Sequence, residues 1–329
     1  MTKATKKPRP SQSPEASSAV GDLGPGFPIA GSDLVHPPIG FGLWALGRWQ
    51  PDDEARTKAC LDRALEQGVR WVDTAEVYGG GRSERVLGDA LARIGPAADR
   101  LFISTKVSWE HLRPTQVRAA LVGSLHRLAR TSVDLYLLHG PNPQVDIAGT
   151  MHMLETLRDE GKIRNFGVSN FSVEELEEAR RALTSGRIAA NQIQYNLFDR
   201  EEGDALLEYC RRHEIRIEAY TPLCRGLLAG RYLDAELPPP EVRRWARDVF
   251  AEDRFPILRD RARRIRALSE TAGVPMPAIA LHWLASRDVA PLFGGSRPEQ
   301  VNEVLRAWSA TPPAEVLEKA EAIARGDDD

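Results

Sequence analysis

The chain has 329 residues, 28% of them charged, and a formal net charge of −3, so the balance offers no electrostatic reason to expect nucleic acid. Three scattered cysteines, Cys60, Cys210 and Cys224, lack C-x-x-C spacing and neither staple a secreted fold nor suggest a zinc site; no metal is expected. No apolar run approaches the roughly 18 residues of a membrane span, and the expected setting is the cytoplasm.

Residues 1–28 carry Lys, Pro, Ser, Gly and Ala with almost no large apolar side chain, which predicts a disordered tail rather than a signal peptide. A single domain is expected over 29–329. Apolar, β-branched runs then recur at Ile39–Leu43, Val69–Asp73, Leu101–Lys106, Val133–Leu138, Ile163–Val168, Ala190–Gln194, Ile215–Tyr220 and Val289–Phe293. Helical periodicity fills the intervals. Ala59, Leu61, Ala64 and Leu65 form one stripe, with Gly68 as its stop; Val117, Leu121, Leu125 and Leu128 form another behind Pro114. Ser172 with Glu175 three residues on fits a capping box. Eight strands alternating with helices predict an α/β fold, a closed (β/α)8 TIM barrel. A doubly wound sheet is disfavoured because no G-x-G-x-x-G follows the first strand.

The interval from Tyr220 to Val289 is much longer than the others and contains Pro238-Pro239-Pro240. An insertion at about 221–288, after the seventh strand, emerges on the rim formed by the strand C-termini and can act as a lid. One of Arg243 or Arg244 is a candidate phosphate clamp, Arg243 being the one carried to the cofactor site, while Arg259 to Arg266 read as a solvated helix face.

Asp73, Tyr78, Lys106 and His139 each fall at or just past the end of a predicted strand. Singly, each has an ordinary structural reading: a turn cap, a loop tyrosine, a strand-end charge, a turn residue. Gathered on one rim of a barrel, they make a proton-transfer site, since active sites on this fold lie at that rim. The run Gly79-Gly80-Gly81 is read as a sharp turn after Tyr78, because no Lys-Ser or Lys-Thr follows it.

Several segments in order resemble the aldo-keto reductase family: Gly68-Val69-Arg70-Trp71-Val72-Asp73-Thr74-Ala75-Glu76-Val77-Tyr78-Gly79, Gly161 to Phe171, Gln192-Ile193-Gln194-Tyr195-Asn196-Leu197, Tyr220-Thr221-Pro222-Leu223, and Gly294-Gly295-Ser296-Arg297-Pro298-Glu299-Gln300. The stretch Cys224-Arg225-Gly226-Leu227-Leu228 looks most like bacterial members and the relatives of potassium-channel β subunits. The resemblance implies NADPH-dependent reduction of a small-molecule carbonyl. Tyr78 would donate the proton, Lys106 would lower its pKa, Asp73 would hold Lys106, and His139 would orient the carbonyl oxygen.

The same resemblance implies the cofactor contacts. Ser169, Asn170 and Gln192 would hold the nicotinamide carboxamide, and Tyr220 would stack on its ring. Thr221, Pro222, Leu223, Cys224, Arg225, Gly226 and Arg231 would follow the pyrophosphate. Gly294, Ser296, Arg297 and Gln300 would surround the adenosine 2′-phosphate at a helix N-terminus, and Glu303 would lie at the adenine. Trp44, Trp109 and Phe198 are candidates for the apolar wall.

The chain departs from the family pattern at Phe293, where many members carry Pro, at Val304, where Asn is common, and at Gly140, which replaces a bulky aromatic and opens the pocket. The alternative function is an NADPH-binding regulatory or sensor subunit with slow turnover. A homo-oligomer stays open.

Overall fold

Side chains along a β-strand point alternately to its two faces, and here that alternation separates two cores. In the strand Phe102–Val107, Phe102, Ser104 and Lys106 face one side while Ile103, Thr105 and Val107 face the other. The computed structural model describes residues 23–44, 53–200, 203–238 and 240–327. Strands β3 (Gly40–Gly42), β4 (Trp71–Asp73), β5 (Phe102–Val107), β6 (Val133–Leu138), β7 (Ile163–Ser169), β8 (Ile188–Gln194), β9 (Arg216–Tyr220) and β10 (Val289–Phe293) close into one parallel barrel. This is the expected (β/α)8 barrel, and the eight predicted strands match within a few residues.

Helices α1 (Asp53–Glu66), α2 (Arg82–Ile94), α3 (Pro114–Leu128), α4 (Ile147–Asp159), α5 (Val173–Ala182) and α6 (Gly203–Arg212) follow the successive strands. The outward faces of the strands pack against them through residues such as Val72, Ile103, Leu138, Val168, Leu61, Leu121 and Leu154, all buried. Ser172 caps α5 in the expected box: its hydroxyl accepts from the Glu175 amide at 3.3 Å and its own amide donates to the Glu175 carboxylate at 2.8 Å. Such a cap stabilises a helix by about 1 kcal/mol. The interval after β9 holds α7 (Pro240–Trp245), α8 (Arg247–Phe250), α9 (Phe255–Ala272) and α10 (Met276–Ala285); α11 (Pro298–Trp308) and α12 (Ala314–Arg325) follow β10. Among the described residues no helix is long and apolar enough to cross a membrane.

The inside of the barrel holds a smaller apolar cluster, Ile29, Trp71, Phe102, Leu135, Leu137, Ala189, Ala190, Ala290 and Leu292. Its floor is an antiparallel hairpin of β1 (Phe27–Pro28) and β2 (Val35–His36), which the hydrophobic pattern does not announce. Phe27 and Pro28 were expected within a disordered tail; instead they pair with His36 and Val35, and the backbone oxygen of Leu23 accepts from the Trp308 indole at 2.8 Å. Residues 1–22 of that expected tail lie outside the described residues. His36 packs on Trp71 and Phe102, the first residues of β4 and β5, with ring centroids 4.4 and 4.9 Å away, so the hairpin covers the N-terminal end of the barrel.

Candidate active site

The inward positions at the C-terminal ends of the strands are polar rather than apolar. Asp73 ends β4, Lys106 lies on β5, Ser169 ends β7, Gln192 lies on β8 and Tyr220 ends β9. The β-register sets Ser169 level with Gln192 and Gln194 level with Tyr220. Five strands thus deliver their polar side chains to one rim, as the sequence predicts.

Lys106 is fully buried, and each of its three ammonium hydrogens has a direction to go. Nζ lies 2.5 Å from Asp73 Oδ1, 2.9 Å from the Thr74 carbonyl and 3.5 Å from the Tyr78 hydroxyl. On the other carboxylate oxygen, Asp73 Oδ2 accepts from Ser104 Oγ at 2.8 Å and Gln192 Nε2 at 3.1 Å. Every partner of Asp73 here donates, which is the pattern of an ionised carboxylate. Burial raises the Asp73 pKa, opposed chiefly by Lys106. For Lys106, burial disfavours the charged form, yet Asp73 and Tyr78 outweigh it and the pKa rises.

Tyr78 is placed by the turn that follows it. Gly79, Gly80 and Gly81 all have positive φ, at 64°, 59° and 80°, a conformation that costs a glycine little. A Cβ on Gly81 would come within 2.6 Å of Arg127 Cδ, so this turn is also close-packed. Lys106 acts on the phenol in the expected direction but does not set the balance. Burial is the largest influence and raises it; Lys106 pulls it down and Asp73 pushes it up again, leaving it above its ordinary value.

His139 sits between two rings, 5.4 Å from Tyr78 and 5.7 Å from Trp109, each edge-on. Burial first, and then the charge of Lys106, lowers its pKa to about 3, so it is neutral at ordinary pH. Its Nδ1 is buried without a hydrogen-bond partner among the described residues. The Asn170 side chain donates to the His139 carbonyl at 3.2 Å and accepts from the Tyr220 hydroxyl at 2.9 Å, tying three strand ends together.

Above these residues opens a cavity of about 740 Å³. Of the residues singled out in the sequence, it is bordered by Trp44, Asp73, Tyr78, His139, Ser169, Asn170, Gln192, Tyr220, Thr221, Pro222, Leu223, Arg225, Gly226, Arg231, Gly294, Ser296, Gln300 and Glu303. Lys106 stands behind Asp73 and Tyr78. Three others do not border the cavity: Cys224 is wholly buried, Arg297 is exposed at the N-cap of α11, and Arg243 is half-buried, its Nε without a hydrogen-bond partner among the described residues. Of the proposed walls, Trp109 lines the cavity beside Gly140 and Pro141, whereas Phe198 packs into the outer core instead. Lining residues that the sequence did not single out include Tyr232, Val242, Ala246 and Pro277, all from the insertion after β9.

One arm of the cavity has the donor set of a phosphate site. Thr221, Cys224 and Arg225 have φ of 55°, 46° and 55°, and Gly226 follows at 97°, so the loop turns its backbone through the left-handed region. Thr221 Oγ1 and Arg225 Nε are buried without a hydrogen-bond partner among the described residues, as a site awaiting an anion would leave them. At the other arm, Gln300 Oε1 accepts from the Ser296 amide at 2.9 Å and its hydroxyl at 3.2 Å, bracing the loop that enters α11. A dinucleotide phosphate fits these two arms and the intervening pocket. No cluster of metal-ligating side chains occurs among the described residues.

Two further residues, Glu218 and His36, extend the polar network inward, and the sequence reading passed over both. Glu218 could have been noticed as the one acidic residue inside the run Ile215–Tyr220; nothing local marks His36.

Residues 38–325 match the family model described as the aldo/keto reductase family. The aldo-keto reductase YhdN of Bacillus subtilis (strain 168) is 32% identical over 297 residues, covering 85% of this chain and 88% of its own. The NADH-specific methylglyoxal reductase of Escherichia coli (strain K12) is 28% identical, covering 91% and 99%. Among solved structures, an aldo/keto reductase from Klebsiella pneumoniae in complex with NADP and acetate superposes with a TM-score of 0.70 at 27% identity, covering 86% of this chain and 90% of the other.

Proposed function

The chain belongs to the aldo/keto reductase family, and on that footing we propose that it reduces aldehyde or ketone carbonyls with NADPH, Tyr78 acting as the general acid. The observation that carries the reading is the placement of the Tyr78 hydroxyl. It borders the cavity beside neutral His139, with Lys106 at 3.5 Å and Asp73 behind it.

A bound nicotinamide supplies the hydride; the remaining work belongs to the chain. Negative charge develops on the carbonyl oxygen as the hydride arrives, and a proton must meet it. The raised pKa of Tyr78 keeps its phenol protonated and ready at neutral pH. As the proton leaves, phenolate forms beside the Lys106 ammonium, which Asp73 holds charged and in place. His139, uncharged, offers a ring N–H to the same carbonyl oxygen and so orients it. Trp109 and Tyr232 supply apolar ring surface to the cavity.

Cofactor roles follow the same geometry. Gln192, Ser169 and Asn170 would meet the carboxamide, the Thr221–Gly226 loop the pyrophosphate, and Ser296, Arg297, Gln300 and Glu303 the adenosine end. Arg297 at the N-cap of α11 favours a 2′-phosphate, hence NADPH. His139 in the cavity, neutral and beside Tyr78, favours turnover over a purely sensing role. The test is NADPH oxidation against a panel of aromatic aldehydes, quinones and sugars, with Tyr78→Phe as control and NADH in parallel. Turnover absent for every substrate, with nucleotide bound, would overturn the reading.

A further inference from the structure

Glu218 lies midway along β9, fully buried, at an inward position level with Gln192 on one side and Ala290 on the other. It does not border the cavity. Its Oε2 accepts from Gln192 Nε2 at 2.7 Å, and its Oε1 lies 2.9 Å from Nε2 of His36, the buried histidine of the floor hairpin. His36 Nδ1 is 2.8 Å from the Pro37 carbonyl, which can only accept, so Nδ1 carries hydrogen. A bare Nε2 would then turn its lone pair onto a carboxylate. A proton therefore lies between Nε2 and Oε1, and the pair carries no net charge whichever atom holds it.

The consequence reaches the cavity through Gln192. Both hydrogens of its Nε2 are committed inward, one to Asp73 Oδ2 and one to Glu218 Oε2. The side-chain oxygen is what remains to face the cavity that Gln192 borders. An oxygen there accepts from the amino group of a carboxamide and rejects a group that cannot donate.

We propose that His36 and Glu218 are positioning residues for the nicotinamide end of the site: from the floor of the barrel they share one proton and so hold the Gln192 amide with its oxygen towards the cofactor. The inference rests on the reductase reading above. Without its imidazole partner, Glu218 would be an uncompensated buried charge, and it would take up a proton of its own. A protonated carboxyl donates, and a donor beside Gln192 stabilises the amide turned over.

The test compares the dissociation constants of NADPH and its acetylpyridine analogue, in which the amide NH2 is replaced by a methyl group. Both are read by tryptophan fluorescence on the full chain. Wild type should prefer NADPH by roughly tenfold, the worth of one good hydrogen bond in a dry site. His36→Phe keeps a ring against Trp71 and Phe102 but should shrink that preference to about twofold or less. Glu218→Gln should leave it intact, because its amide oxygen accepts from Gln192 while its NH2 donates to neutral His36. Adding Glu218→Gln to His36→Phe should restore the preference, since no buried charge then lacks a partner. A role in packing alone predicts no such restoration.

The ratio does not depend on the fraction of protein that is folded, and Glu218→Leu serves if His36→Phe does not fold; it too should lose the preference. A wild-type ratio in His36→Phe, or a lost ratio in Glu218→Gln, would overturn the proposal. Equal binding of both nucleotides by wild type would overturn it as well. Failure of wild type to bind either nucleotide would instead remove the reductase reading.

Discussion

The Lys106 ammonium lies 3.5 Å from the Tyr78 hydroxyl, at the long limit of a hydrogen bond, and 5.1 Å from the centre of its ring. Its shorter contacts go to Asp73 and the Thr74 carbonyl. The contact with the phenol is thus weak while the proton is in place and strengthens as phenolate forms. Interactions that are stronger in the transition state than in the ground state are those that accelerate a reaction.

Tyr78→Phe removes the proton and preserves the ring that meets His139 edge-on at 5.4 Å. Turnover should fall by about 10²–10⁴-fold, the usual worth of a positioned acid. NADPH affinity should be retained, as read by fluorescence titration. Equal turnover in mutant and wild type would remove Tyr78 as the acid.

His139 should leave no mark on the pH–rate profile near neutrality, because its pKa is held down to about 3. A free histidine titrates near ~6.5. Between those values the unfolded chain binds a proton that the folded chain refuses, so this group erodes stability as pH falls from about 6.5 towards 3. His139→Gln should therefore lose less stability than wild type between neutral and acid pH in paired urea melts. Parallel losses in the two proteins would contradict the buried, neutral imidazole.

Arg297→Ala should weaken NADPH by about tenfold or more, the value of a charge-assisted hydrogen bond, and weaken NADH much less. Arg297 stands exposed at the head of α11 rather than in the cavity wall, so the cavity shape should be untouched. Identical shifts for both nucleotides would detach Arg297 from the 2′-phosphate.

Gly40→Ala tests the floor of the barrel. A Cβ there would come 2.1 Å from Cε3 of Trp71, a ring already held by its bond to Ser104 Oγ at 2.9 Å and by contact with His36. Overpacking of this kind costs about 1–3 kcal/mol, which thermal melting would register. Gly42→Ala, two residues on, meets Leu292 at an ordinary 3.5 Å and should cost far less. Equal melting points for the two variants would show that Trp71 can move aside.

The barrel strands and the rim residues were legible because each depends on local signals: apolar runs, cap residues and residue types at strand ends. Val133–Leu138 and Val289–Phe293 coincide with the predicted runs to the residue. The hairpin floor was not legible. Its strands are two residues each, too short for any period, and what stabilises them is contact with Trp71 and Phe102 far along the chain. Phe198 went astray for the opposite reason: its type suits a pocket wall, but its amide bonds the Asn196 side chain at 2.9 Å and the ring turns into the outer core. The net direction of the Tyr78 shift was not legible, because a neighbouring cation can be inferred from spacing, whereas the degree of burial cannot.

The inward carboxylate of Glu218 also bears on how the chain finds its register. Slipping β9 by one residue against β8 and β10 would turn every side chain of the strand to its opposite face. Ile217 and Ala219 could exchange layers at modest cost, since both sides are apolar. Glu218 could not: it would arrive among the outer helices, away from both His36 and Gln192. Its burial therefore disfavours a one-residue slip of β9 at the same residue proposed to orient the amide.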